Sequence, residues 1–168
     1  MTRQTTRRTI PYRRKREGKT NYKKRLEMLK SRKNRLVIRK TNKHIVAQIA
    51  NYHPDGDKIV AGVSSKQLES HGWKHSTKNL PASYLTGLLL AKKAKAAGVG
   101  SAVLDLGLQT PHKGSRLYAA LKGAIDGGLD IPASEEVFPS EDRLKGGHID
   151  DEKVQDSFTK TKSTIEQQ

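Results

Sequence analysis

Four cations in a row, Arg13-Arg14-Lys15-Arg16, are followed within ten residues by Lys19, Lys23 and Arg25. Arg7 and Arg8 precede them, and Tyr12 and Tyr22 are interleaved. Guanidinium and ammonium groups at this density attract phosphate, because neutralising a phosphate releases condensed counterions. Aromatic rings set between them can stack on unpaired bases. A solvated tail or a localisation signal would also be basic, but it would not need to hold the whole charge excess of the chain. Residues 1–43 contain 18 Lys+Arg and only two acids, Glu17 and Glu27, whereas the remaining residues balance at 15 of each sign. The net charge of +16 therefore falls entirely in the first quarter of the sequence. A basic segment on a neutral body points to a polyanionic partner, with nucleic acid preferred.

Two further clusters could contribute. Arg39-Lys40-Thr41-Asn42-Lys43-His44 reads as a hairpin tip rich in donors for a sugar-phosphate backbone. The alternative is an edge strand guarded by charge, and the segment alone does not choose between them. The loop Thr110-Pro111-His112-Lys113-Gly114-Ser115-Arg116 leads into an apolar helix, where free N–H groups could meet an anion. A plain helix cap is the simpler reading there, unless the loop adjoins the basic segment. Its spacing is not that of a phosphate-binding P-loop.

Other chemistry is poorly supported. His71 and His75 are separated by Gly72 and lack the company of a zinc site, and there is no cysteine, so no metal and no disulfide is expected. Asp105 stands at a strand end without a nameable general-base partner, which favours a turn or cap role. Trp73 reads as a core or lid aromatic. No catalytic residue and no cofactor is expected.

The elements that must position these groups follow from periodicity. Thr20 or Asn21 can cap a helix running to Lys30, with Tyr22, Leu26 and Leu29 on one face. Three strands follow, Arg35–Lys40, His44–Ala50 and Lys58–Val63, joined by turns at Thr41–Lys43 and Pro54–Asp57. A short helix from Ser64 or Ser65 stops near Gly72, and a long one opens at Pro81 with Leu85, Leu88 and Leu89 inside. A buried strand, Ser101–Leu106, and a helix through Leu117, Leu121 and Ile125 complete the pattern. The expectation is a two-layer α/β domain: a three-stranded antiparallel meander extended by a further strand, helices on one face, and a basic N-terminal extension. The other sheet face is expected to be uncovered. The divisions read as an arm over 1–18, the domain over 19–147, and a short helix with a flexible tail over 148–168.

With 33% hydrophobic residues the chain lies below the usual ~45–50%, and the shortfall sits at the two ends. No apolar run approaches the ~20 residues that span a bilayer, and the basic start lacks the apolar segment of a secretory signal. No membrane partner is expected.

Arg14–Tyr22 (RKREGKTNY) and Arg35–Lys40 (RLVIRK) resemble the archaeal-type L-eighteen family of large-subunit ribosomal proteins, whose eukaryotic relatives are longer. The resemblance continues through Gly72–Ala94, Ala102–Arg143 and Gly146–Ile149, covering about residues 10–150. It implies a non-catalytic, cytoplasmic, ribosome-bound protein. Such a protein binds 5S rRNA and helps attach it to the large-subunit rRNA in the central protuberance, beside neighbouring ribosomal proteins. Carried over by position, the implied RNA contacts are Arg13, Arg14, Arg16, Lys19, Tyr22, Lys23 and Arg25; Arg39, Lys40, Asn42, Lys43 and His44; and His112, Lys113 and Arg116. The residues by themselves leave open a free nucleic-acid-binding or RNA-modifying protein with a basic arm.

Overall fold

The computed structural model describes residues 9–149 and 153–167. Strands β1 (Asn34–Lys40), β2 (Ile45–Asn51) and β3 (Lys58–Ser64) form the antiparallel meander, and β4 (Ala102–Asp105) adds to it in parallel with β1. The order across the sheet is β3-β2-β1-β4. Side chains alternate across a strand, so Leu36 and Ile38 of β1, with Ile45, Ala47 and Ile49 of β2, point to the core. Arg35, Val37 and Arg39 consequently take the outer face. Ala50 takes that outer face by the same alternation, and a register shift between Ile49 and Ala50 brings its β3 partner Ile59 there as well.

The inner face is covered by helices. α3 (Leu80–Ala96) starts where Asn79 Oδ1 accepts the Ala82 N–H at 2.9 Å, and Pro81 suits the first turn, where no intrahelical donor is needed. Every residue from Leu80 to Ala91 is buried, as befits a helix with neighbours on all sides. Those neighbours are the sheet, α4 (Arg116–Asp126), α5 (Glu141–Lys145) and α6 (Lys153–Glu166). α3 and α4 meet at glycines. A Cβ on Gly87 would overlap the Ala120 carbonyl, and one on Gly123 the Tyr84 carbonyl. A 3-10 turn, Ser65–His71, ends at Gly72 with φ +90°, and Trp73 beyond it is buried in the core.

Two features differ from expectation. The final segment is no frayed tail: α6 runs fourteen residues and buries Val154, Phe158, Thr161 and Ile165. Their spacing of four, three and four places them on one helical face against α3; a low average hydrophobicity conceals such a stripe. The outer sheet face is also not open. α2 (Tyr22–Lys30), capped by Asn21 Oδ1 on the Lys24 N–H at 3.1 Å, stands over it. α2 buries no residue and leaves a cleft of about 660 Å³ between itself and the sheet.

Candidate nucleic-acid interface

The outer face is organised by an alternating chain of charges, Arg25–Asp57–Arg35–Asp105–Arg39. Arg35 Nη1 donates to Asp105 Oδ2 at 2.8 Å, and its Nη2 donates to Asp57 Oδ2. Arg25 Nη2 reaches Asp57 Oδ1 at 2.8 Å, and Arg39 Nη2 reaches Asp105 Oδ1 at 3.0 Å. Sheet register makes this possible. Asp105 sits beside Val37, so it lies diagonally between Arg35 and Arg39 on the same face. Its carboxylate also accepts the Gly107 N–H at 2.8 Å, which fixes the start of the β4–α4 loop. The middle of the chain is buried and its ends are wet: side-chain exposure is 4% at Arg35 and 7% at Asp105, but 29% at Arg25 and 40% at Arg39. At Asp57 burial opposes ionisation, but hydrogen bonds and charge from Arg25 and Arg35 outweigh it and hold the carboxyl below its ordinary value. The same bond to Asp57 raises Arg25.

Of the expected contacts, Arg7 and Arg8 lie outside the described residues. Arg13–Arg16 form one helical turn, α1, with no buried residue. Glu17 accepts from Arg13 Nε at 2.8 Å and from Lys19 Nζ at 2.9 Å, and these two bonds keep its carboxyl below the usual range. Arg14 Nε donates to Thr20 Oγ1 at 2.8 Å, folding the segment back toward α2. Tyr12 and Tyr22 lie against each other, ring centroids 5.1 Å apart, and Tyr12 remains 73% exposed. Lys15, Tyr22 and Lys23 face Leu108 of the β4–α4 loop, and Asn21, Lys23 and Lys24 share a cleft with Pro111. The start of this loop, Leu108 to Pro111, therefore lies beside the basic segment. Ser115 occupies the N-cap position of α4, yet its hydroxyl makes no capping bond.

The hairpin tip is closed by Thr41, whose N–H donates to the His44 carbonyl at 2.8 Å and whose Oγ1 accepts the His44 N–H at 2.9 Å. Edge protection is not its purpose, because β1 and β2 are the two central strands. Lys40, Asn42 and Lys43 are exposed around it. The tip is joined to its neighbours. His44 Nδ1 lies 3.0 Å from Thr77 Oγ1, which itself donates to the Lys43 carbonyl at 3.0 Å. Arg116 Nη1 donates to the Lys78 carbonyl at 2.8 Å, so the third cluster borders the same corner. His112 is exposed, and Lys113 pairs with Glu136 at 3.2 Å on the surface.

Sequence reasoning missed three connecting residues. Gln109 accepts the Lys40 N–H at 3.1 Å and donates to the Ile38 carbonyl at 3.1 Å, pinning the loop to β1. Thr77 and Lys78 bridge the tip to the start of α4. Nothing local marks them, since each acts on a residue more than thirty positions away. Three basic segments distant in sequence thus border one end of the sheet, the C-terminal ends of β1 and β4.

A family model described as "Ribosomal large subunit proteins 60S L5, and 50S L18" matches residues 6–99 and 94–134. The large ribosomal subunit protein uL18 of Korarchaeum cryptofilum (strain OPF8) is 54% identical over 140 residues, covering 83% of this chain and 72% of that protein. The protein of the same name from Methanoregula boonei is 50% identical over 140 residues, covering 83% of this chain and 80% of its own length. With a matched family spanning most of the sequence and the basic segment included, the chain belongs to the uL18 family of large-ribosomal-subunit proteins.

Proposed function

We propose that this protein is a structural constituent of the large ribosomal subunit, ribosome-bound in the cytoplasm, that binds 5S rRNA and helps attach it to the large rRNA in the central protuberance. The observation that carries this reading is the confinement of the +16 excess to residues 1–43, beside a corner where the hairpin tip and the β4–α4 loop add further cations. The basic arm over residues 1–18 and Lys19, Tyr22 and Lys23 supply the leading contacts. Lys40, Asn42, Lys43 and His44 supply the second set, and His112, Lys113 and Arg116 the third. Arg25 and Arg39, which are part-exposed and also bind Asp57 and Asp105, complete the set. No catalytic step is assigned: Asp105, the acid at the end of β4, is buried and its carboxylate is held by Arg35, Arg39 and the Gly107 N–H.

Filter binding to 5S rRNA across a salt series tests the reading. Affinity should fall steeply and linearly on logarithmic axes. Equal affinity for an unrelated RNA of the same length would refute specific binding. Sedimentation in a free pool, away from large subunits, would favour a free RNA-binding protein instead.

A further inference from the structure

We propose that Asp57, anchored through Arg35 to Asp105, is a positioning residue for the RNA interface: an acid, inside a surface that binds a polyanion, that holds the basic segments in register with each other. The inference rests on the RNA-binding reading above.

α2 has little else to hold it. A helix of nine residues is marginal in water by itself, because the cost of nucleation is spread over few bonds. It buries no residue, and a cleft separates it from the sheet. Among the described residues, the side-chain hydrogen bond that joins α2 to the body is Arg25 to Asp57. Asp57 lies in the β2–β3 turn and is itself fixed by Arg35, a strand residue 3% exposed. Arg35 passes the connection to Asp105, which holds Arg39 and the backbone of Gly107. One chain of carboxylates and guanidinia thereby sets α2, which carries Tyr22, Lys23 and Lys24, relative to the loop that carries His112 and Lys113. A phosphate-binding surface gains from this because cations fixed at the spacing of the phosphates need no ordering on binding.

The consequence runs against simple electrostatics. Removing one acid raises the net charge by one and, by attraction alone, should tighten RNA binding. If Asp57 positions α2, removing its charge should weaken binding.

The test uses the full chain with Asp57→Asn and Asp57→Glu, and Glu69→Gln as the control. Glu69 is an exposed acid on the 3-10 turn, so its substitution makes the same change in net charge away from α2. Glu69→Gln should bind 5S rRNA as well as the parent or better. Asp57→Asn should bind about tenfold more weakly, with a salt slope shallower by about one unit, and Asp57→Glu should recover much of the loss. Amide exchange on the free proteins provides a readout that needs no RNA. In Asp57→Asn, exchange should quicken over residues 22–30 while β1 and β2 keep their protection. An Asp57→Asn protein that binds like Glu69→Gln, or whose α2 exchanges at the parental rate, overturns the proposal. So does one whose sheet loses protection, since the acid would then be serving the fold. If the parent binds no 5S rRNA, the functional reading fails, and the exchange data still decide whether Asp57 holds α2.

Discussion

Arg35 and Asp105, seventy positions apart in sequence, are joined at 2.8 Å across the parallel pair β1 and β4, and both are nearly inaccessible to solvent. A charge taken out of water in this way must be matched, because an uncompensated ion in the interior is costly. Asp105→Asn leaves Arg35 and Arg39 without their shared carboxylate. Urea unfolding should show a loss of about 3–5 kcal/mol. Replacing Arg35 and Asp105 together by Met and Leu should cost less than the single change, since no buried charge is then stranded.

The α3–α4 crossing predicts a second sensitivity. Gly123 leaves no room for a Cβ beside the Tyr84 carbonyl, nor Gly87 beside that of Ala120. Gly123→Ala must push the helices apart and should cost about 1–3 kcal/mol or more despite the better helix propensity of alanine. Gly100→Ala, where a Cβ meets nothing within 4 Å and φ is not positive, should change the melting temperature little.

Acid stability should carry the mark of Asp57. Its carboxyl titrates lower in the folded protein than in the unfolded chain, so its contribution is fully present above the unfolded value, about 3.9, and is lost as pH falls through the folded value. The local stability of α2, read by amide exchange, should therefore differ between the parent and Asp57→Asn above about pH 4 and converge as pH falls through the lower folded value. A constant gap down to the lowest pH would remove Asp57 from the account.

α6 should behave as part of the core. Phe158→Ala removes a ring that is 5% exposed and lies 5.6 Å from Tyr84, centroid to centroid. The loss should be about 3–5 kcal/mol in thermal or urea unfolding. A flexible tail would show no effect.

At the interface corner, Lys43→Gln with Lys78→Gln should make the salt slope of RNA binding shallower by about two units, one for each phosphate left without its cation. Both side chains are exposed, so the melting temperature should hardly move. An unchanged slope would remove this corner from the interface.

The sequence by itself determined the order of the elements from α2 to α4, because strand alternation, caps and turn residues are local. Asn21, Pro81 and Gly72 mark their helix ends whatever surrounds them. It also determined the segregation of charge, a property of composition along the chain. The resemblance through RKREGKTNY and RLVIRK pointed to the family. Tertiary structure alone decided which cations are committed. Arg25 and Arg39 look like their neighbours in sequence, yet they face carboxylates brought to them by the β2–β3 turn and by β4. It also decided that Asp57 and Asp105 belong to one charge chain, and that Val154, Phe158 and Ile165 have α3 to pack against. The physical reason is the same in each case. A local pattern fixes which way a side chain points, but its energy depends on what lies opposite, and what lies opposite is set by strand register and helix packing over tens of residues.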